Sequence, residues 1–176
     1  MKAYIIHHDQ CLDRKDSVQE LRQKTGAEVL EAIWEDNRVQ GCKLSHMKVA
    51  WQAKQDDPDK PYIVFEDDCE LLEDIDIILN RLPDADVVYF GYNSLGYDTK
   101  GKYPLYFGTH AMKISPKARD VILHYADWCQ EPFDHILSKL IHSFHLTVST
   151  PDFMKRESFA KQRKGFVSTI TGKPRQ

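Results

Sequence analysis

Two periodicities divide this chain. Short apolar runs bounded by turn residues mark buried strands at residues 2–8, 27–33 and 86–90, and Tyr62-Ile63-Val64-Phe65 after Pro61 is the clearest of them. Between these runs, apolar residues recur at helical spacing. Asp13 or Asp16 is expected to cap a helix that runs through Thr25 and stops at Gly26. Gly41 opens a second helix, in which Leu44, Met47, Trp51 and Lys54 form one stripe and His46, Ala50 and Ala53 another, so burial on more than one face is expected. A short helix is expected at 75–81 and a strand at 106–114. Ser115-Pro116 pairs a capping hydroxyl with a proline at the first helical position and predicts a helix to about Trp128. Glu131-Pro132-Phe133-Asp134 starts another through Ser143, followed by a strand at 144–149. Residues 91–103, rich in Gly, Asn, Asp and Tyr, predict a loop that would serve as a lid or acceptor rim, hinged at Gly96 and Gly101. Strands and helices alternate without a repeat or a linker, which predicts one α/β domain over 1–176 with a mostly parallel sheet, ending in a basic tail from about 153.

Composition narrows the class. A hydrophobic share of 41% suits a soluble globular domain with one sizeable core. The formal net charge of −3 conceals two opposed regions. Residues 55–87 are dense in Asp and Glu, with only Lys60 and Arg81 against them, whereas from Phe153 onward basic residues face Glu157 alone. An anionic ligand gripped between a cation at the acids and Arg156 or Lys164 of the tail would use both. Cys11, Cys42, Cys69 and Cys129 are scattered, with no CxxC pair and no zinc-finger spacing, so reduced thiols are expected and neither a structural zinc nor a thioredoxin-like motif. There is no charged-then-apolar leader and no apolar run of about 18 residues, so a cytoplasmic protein without a membrane span is expected.

The candidate chemistry lies where the strand at 62–65 runs into Glu66-Asp67-Asp68-Cys69-Glu70. Ligands of open α/β sheets bind beyond the carboxyl ends of strands, and adjacent carboxylates repel unless a cation or solvent offsets them. Oxygen-only donors point to Mn²⁺ or Mg²⁺. Alternation along an extended chain would send Glu66 and Asp68 one way and Asp67 the other. A Walker B strand has the same look, but no G-x-x-x-x-G-K-[ST] phosphate loop accompanies it, which argues against a P-loop ATPase. The eight histidines form no HExxH, and no GxSxG elbow exists. His110, in Gly108-Thr109-His110-Ala111-Met112, is a candidate metal ligand or substrate contact. Tyr89, Tyr92, Tyr97, Tyr103 and Tyr106 are candidates for a sugar platform, with core packing as the ordinary alternative.

Several segments, read in order, resemble the family 25 glycosyltransferases, the lipopolysaccharide-type sugar transferases that include collagen galactosyltransferases. Asp13-Arg14 after the first strand resembles that family's (E/D)R step, Gly41-Cys42-Lys43-Leu44-Ser45-His46 its G-C-x-x-S-H helix start, and Glu66-Asp67-Asp68 its EDD motif. Gly108 to Ser115 with Ala118 is similar to its I-S-x-x-A segment, although Met112 stands where an aromatic is usual. Pro132-Phe133-Asp134, Thr150-Pro151 and Ser168-Thr169-Ile170 resemble its later features.

The resemblance implies a GT-A fold, a nucleotide-binding α/β/α sandwich with a mostly parallel central sheet. It implies inverting transfer of a hexose from a nucleotide-sugar donor, UDP-galactose or UDP-glucose, to a glycan or lipid-linked saccharide acceptor. Nucleic acid is not an expected partner, and membrane contact would be peripheral, through a lipid-linked acceptor. On this reading Asp68 binds Mn²⁺ or Mg²⁺, and Glu66 reaches the donor ribose or a metal-bound water. Arg14 contacts the nucleotide, Ser45 and His46 shape the pocket, Asp67 belongs to the donor site, and His110 is a further metal ligand. An inverting displacement needs a base for the acceptor hydroxyl. Asp134 is the first candidate and Glu70 the second, with capping of the following helix as an equal alternative for Asp134. A metal-dependent phosphoesterase or nuclease on the same acids, and a non-catalytic nucleotide-sugar-binding protein, are the alternatives in other classes.

Overall fold

The computed structural model describes residues 1–91, 94–97, 101, 103–150 and 158–163. In chain order the elements are β1 (Lys2–His7), α1 (Lys15–Thr25), β2 (Glu28–Glu31), α2 (Arg38–Asp56), β3 (Tyr62–Glu66), β4 (Cys69–Leu71) and α3 (Ile75–Arg81). They continue as β5 (Val87–Tyr89), β6 (Ser94–Tyr97), β7 (Pro104–Phe107), β8 (Ala111–Ile114), α4 (Pro116–Tyr125), α5 (Phe133–Ser143), β9 (Val148–Ser149) and β10 (Ala160–Gln162). Single 3₁₀ turns at Leu12–Arg14 and Ala126–Trp128 precede α1 and follow α4.

The main sheet has the order β2-β1-β3-β8-β5-β9. β8 runs antiparallel to β3 and β5, and the other pairings are parallel. Successive strand residues enter opposite cores. Tyr62 and Val64 join Tyr4, Met112 and Ile114 beneath α2, α4 and α5, while Ile63 and Phe65 join Ile5, Val18, Leu21 and Ile78 beneath α1 and α3. A sheet covered on both faces needs apolar residues at both parities, which is why β3 reads as an unbroken apolar run. The result is the expected three-layer α/β arrangement with a mostly parallel sheet. Among the described residues no helix is long and apolar enough to cross a membrane.

Local expectations fail at identifiable places. The strand expected at 106–114 is two strands, β7 and β8, separated by Gly108 at φ 101°, a conformation that L side chains rarely adopt. The loop expected at 91–103 contains β6, which pairs with β7 as a hairpin, and residues 92, 93, 98–100 and 102 lie outside the described residues. Neither Asp13 nor Asp16 caps α1: Arg14 holds the cap position, without a side-chain cap bond, because the preceding 3₁₀ turn leads directly into the helix. α2 starts three residues before Gly41, capped by Asn37, whose side chain accepts from Val39 N at 3.1 Å. Trp51 of its expected apolar stripe is exposed. Helix α4 ends at Tyr125, with the 3₁₀ turn completing the span to Trp128, and only Val148–Ser149 of the strand expected at 144–149 pairs.

Candidate active site

Strand register assembles the site. β1 and β3 are parallel with Ile6 beside Glu66, so the residues next along, His7 and Asp67, meet at the carboxyl edge with His7 Nδ1 3.0 Å from Asp67 Oδ2. β8 is antiparallel to β3 with Ala111 beside Phe65, which brings the residues before β8 to the same edge. Glu66 N donates to the His110 carbonyl at 2.9 Å, and the Thr109 hydroxyl donates to Glu66 Oε1 at 2.6 Å.

The three acids of the turn point three ways. Asp67 accepts from Arg14 Nη1 and meets His7, all three side chains being buried. Arg14 also lies 3.9 Å from Asp68 Oδ2. Burial works against the charge on Arg14, but the two aspartates outweigh it and raise its pKa. Asp68 is fully buried under the C-terminal strand: Gln162 Nε2 donates to its Oδ2 at 3.2 Å, and Arg163 N donates to its carbonyl at 2.7 Å. Glu66 lines both lobes of the cleft, with its Oε1 3.2 Å from His46 Nε2. The imidazole of His46 is stacked on Phe133 with ring centroids 4.2 Å apart and planes 8° apart. Burial pushes the Glu66 pKa up, but the hydrogen bond and charge of His46 and the bond from Thr109 prevail and hold it below the usual carboxylate range. The expected grouping of Glu66 with Asp68 is therefore corrected. Asp67 and Asp68 sit in a turn, where strand alternation no longer applies, and they share Arg14 instead.

Two lobes of one cleft open at this edge. The first is lined by His8, Arg14, Ile33, Trp34, Arg38, Ser45, Asp67 and others at the ends of β1, β2 and β3. The guanidinium carbon of Arg38 stands 3.4 Å from the centroid of the exposed Trp34 ring, and the His8 ring 4.3 Å from it. Arg38 Nη1 is buried and has no hydrogen-bond partner among the described residues. The rim is drawn against α2 by two residues of the helix. A Cβ at Gly41 would lie 2.7 Å from the Ile33 carbonyl, so only glycine permits this approach. The Ser45 hydroxyl accepts from Ile33 N at 2.8 Å and donates to Gly41 O at 2.7 Å. Ser45 thus shapes the lobe by holding its wall.

The second lobe is lined by Phe107, Gly108 and Thr109 from the β7–β8 turn, by Pro132 to His135 at the start of α5, and by Gln162. Cys42 and Glu66 line both lobes and mark their junction. Asp134 does not cap α5. Pro132 holds that position, and Asp134, in the first turn, accepts from His135 N at 2.9 Å. Burial raises the Asp134 pKa, and the nearby Glu66 charge adds to the rise, against the opposing bond and charge of His135. Asp134 is thus a carboxylate in the second lobe held less acidic than usual.

Other expected residues lie elsewhere. Glu70 is on β4, 3.3 Å from Lys161 Nζ, outside both lobes. His110 is buried under the sheet edge and lines neither lobe. Tyr89 is core and stacks on Tyr106, Tyr103 stacks on His142, and Tyr97 is exposed; none lines either lobe. Tyr92, Arg156, Lys164, Pro151 and Ser168 to Ile170 lie outside the described residues. His7, Trp34, Arg38 and Gln162 carried no motif. Trp34 and Arg38 are four residues apart, but they straddle the helix cap, where helical periodicity has not begun.

The arrangement is that of a known fold. The chain is similar to the galactosyltransferase LgtC solved with donor and acceptor sugar analogues, at 11% identity over 96% of this chain and 88% of that one, with a TM-score of 0.54. It is similar to a glycosyltransferase involved in glycosylation of the major capsid of PBCV-1, at 14% identity over 86% and 83%, TM-score 0.51. A Drosophila β1,4-galactosyltransferase 7 solved with manganese, UDP-Gal and xylobiose matches at 13% identity over 92% and 69%, TM-score 0.50. At these identities the likeness defines the fold, and the fold is GT-A-like. No family model and no curated protein sequence matches the chain, so the resemblance to family 25 in particular rests on its motifs.

Proposed function

We propose that this protein is a glycosyltransferase that moves a hexose from a nucleotide-sugar donor, UDP-galactose or UDP-glucose, to a saccharide acceptor with inversion. The observation that carries the reading is the junction of the two lobes. An ionised Glu66 stands between a lobe walled by Trp34, Arg38 and His8 and a lobe holding the high-pKa Asp134. The first lobe suits a nucleotide. Trp34 offers a face for a base, and Arg38 and His8 offer donors for phosphate oxygens. The second suits the sugar and the acceptor, between the aromatic rings of Phe107 and Phe133.

In the reaction the acceptor oxygen forms a bond to the anomeric carbon while the bond from that carbon to the diphosphate oxygen breaks, and the diphosphate leaves with the electron pair. Asp134 takes the acceptor hydroxyl proton. Its raised pKa makes it a better base than an ordinary carboxylate. Arg38 balances charge on the departing diphosphate. A divalent ion, Mn²⁺ or Mg²⁺, belongs to this reading, and it supplies positive charge to the leaving group when bound. The sequence expectation put it on Glu66 and Asp68; the described donors whose ligand atoms all lie within 4.8 Å of one another are Glu66, His46 and Cys42, a set whose sulfur and nitrogen suit Mn²⁺ better than Mg²⁺. Lipopolysaccharide-type or other lipid-linked saccharides are the acceptor class the family resemblance suggests.

The test is a panel of nucleotide sugars with divalent metal, read as diphosphonucleoside release with and without saccharide acceptors and as thermal stabilisation. Stabilisation by UDP and acceptor-stimulated release from a UDP-hexose are expected. Absence of nucleotide binding under every metal would remove the reading.

A further inference from the structure

We infer that Cys42, His46 and Glu66 form a transition-metal centre of the zinc type, one that binds Zn²⁺ or Co²⁺ in preference to Mg²⁺ and does so without nucleotide. The inference rests on three side chains and their surroundings rather than on the transferase reading. Cys42 and His46 are four residues apart on α2, so both project from one side of the helix toward the end of β3, where Glu66 lies. Their sulfur, nitrogen and oxygen atoms lie within 4.8 Å of one another, and this is the one such trio among the described residues. The edge-to-edge spacing of donors around a tetrahedral ion with bonds of roughly 2.0–2.3 Å falls inside that limit.

Two of the ligands are already oriented. Stacking on Phe133 fixes the His46 ring, and Thr109 donates to Glu66 Oε1 from the β7–β8 turn. Partners of this kind hold metal ligands in place and sharpen affinity. The position is open rather than sealed, because Cys42 and Glu66 face both lobes. Three protein ligands with an accessible fourth position is the pattern of reactive zinc sites, whereas structural sites are closed by four protein ligands. A thiolate and an imidazole disfavour Mg²⁺, which takes oxygen ligands in near-octahedral geometry. Metal capture replaces the Cys42 S–H bond by an S–metal bond, and the proton leaves to solvent.

Chelator-treated full-length protein titrated with Co²⁺ under reducing, oxygen-free conditions reads the centre directly. The expected result is a near-ultraviolet thiolate-to-cobalt band that saturates at one equivalent, is abolished by Zn²⁺ and is untouched by excess Mg²⁺. Cys42→Ala should remove the band and weaken Zn²⁺ binding at least about tenfold, while Cys129→Ala keeps both. Glu66→Gln should retain the band and weaken the affinity. Circular dichroism and the metal-free melting temperature establish that each variant is folded, and Cys42→Ser replaces the alanine variant if that one is not. A band that survives in Cys42→Ala, no band at one equivalent, or competition by Mg²⁺ at concentrations comparable with Zn²⁺ would overturn the proposal. UDP binding measured on the same samples separates the two ideas. A saturating band without UDP binding sinks the transferase and leaves the centre, and UDP binding without a band does the reverse.

Discussion

The two lobes share Glu66 and Cys42 yet solve opposite electrostatic problems. In the first, acid and base are settled inside the protein: Arg14 and His7 engage Asp67, and Arg14 reaches Asp68, so the wall is a closed, buried ion cluster. In the second, Asp134 is half-buried near another carboxylate, and the opposing bond and charge of His135 do not cancel the rise in its pKa. Charge neutralised within a wall makes a rigid cradle, and charge held at a cost makes a reactive group. The difference follows from the elements that meet there. The first lobe joins the ends of three parallel strands, where register places His7 against Asp67. The second is bounded by a turn and the first turn of a helix, which present side chains to space rather than to a facing strand.

Removing Arg14 should break that contrast most severely. Arg14→Ala leaves Asp67 and Asp68 buried without their cation, and a loss of about 3–5 kcal/mol in urea-determined stability is expected. A loss below about 1 kcal/mol would mean that the cluster is hydrated rather than closed.

Asp134→Asn should act on rate and spare the fold. A fall in kcat of about 10²-fold or more is expected, with UDP affinity unchanged. Because the folded-state pKa of Asp134 is raised, the native protein loses stability as pH rises from the ordinary carboxylate range through that pKa. Asparagine removes this loss, so the variant should melt no lower than the parent at neutral pH and slightly higher if anything. In the parent, the acid limb of kcat/KM should lie above the range of an ordinary aspartate, since the base must be ionised. Full activity in Asp134→Asn would transfer the base role elsewhere.

Trp34→Ala should give the smallest effect, confined to the first lobe. A stacked base contributes roughly 1–3 kcal/mol, so UDP affinity measured by calorimetry should fall about tenfold, with kcat at saturating donor little changed. A larger fall in kcat than in affinity would place Trp34 at the reacting centre instead.

How much of this was legible in the sequence differs between the regions. β3, the acid turn, Ser115-Pro116 and the α5 start were all visible, because local patterns encode them. Ser115 indeed accepts from Ala118 N at 3.1 Å, as a capping serine does. The pairing among the acids was not visible. Glu66 and Asp68 were expected together, but a turn reorients each side chain separately, and the partner of Asp67 is Arg14, fifty-three residues away. Glu70 follows the same rule: beside the acid turn in sequence, it is carried away by β4 to pair with Lys161. Cys42 offered no recognisable metal spacing, since its i, i+4 relation to His46 gains meaning only when the end of β3 is brought opposite.

By itself the sequence determined the alternation of strands and helices, the sheet buried on both faces, and the carboxylates at a strand's carboxyl end, all properties of residues within a few positions of one another. Only the tertiary structure decided which carboxylate stands at the junction of the lobes, which is neutralised by Arg14, and that Asp134 lies in the same cleft as Glu66. Those outcomes depend on strand register and helix packing across the whole chain, which set distances that no local pattern contains.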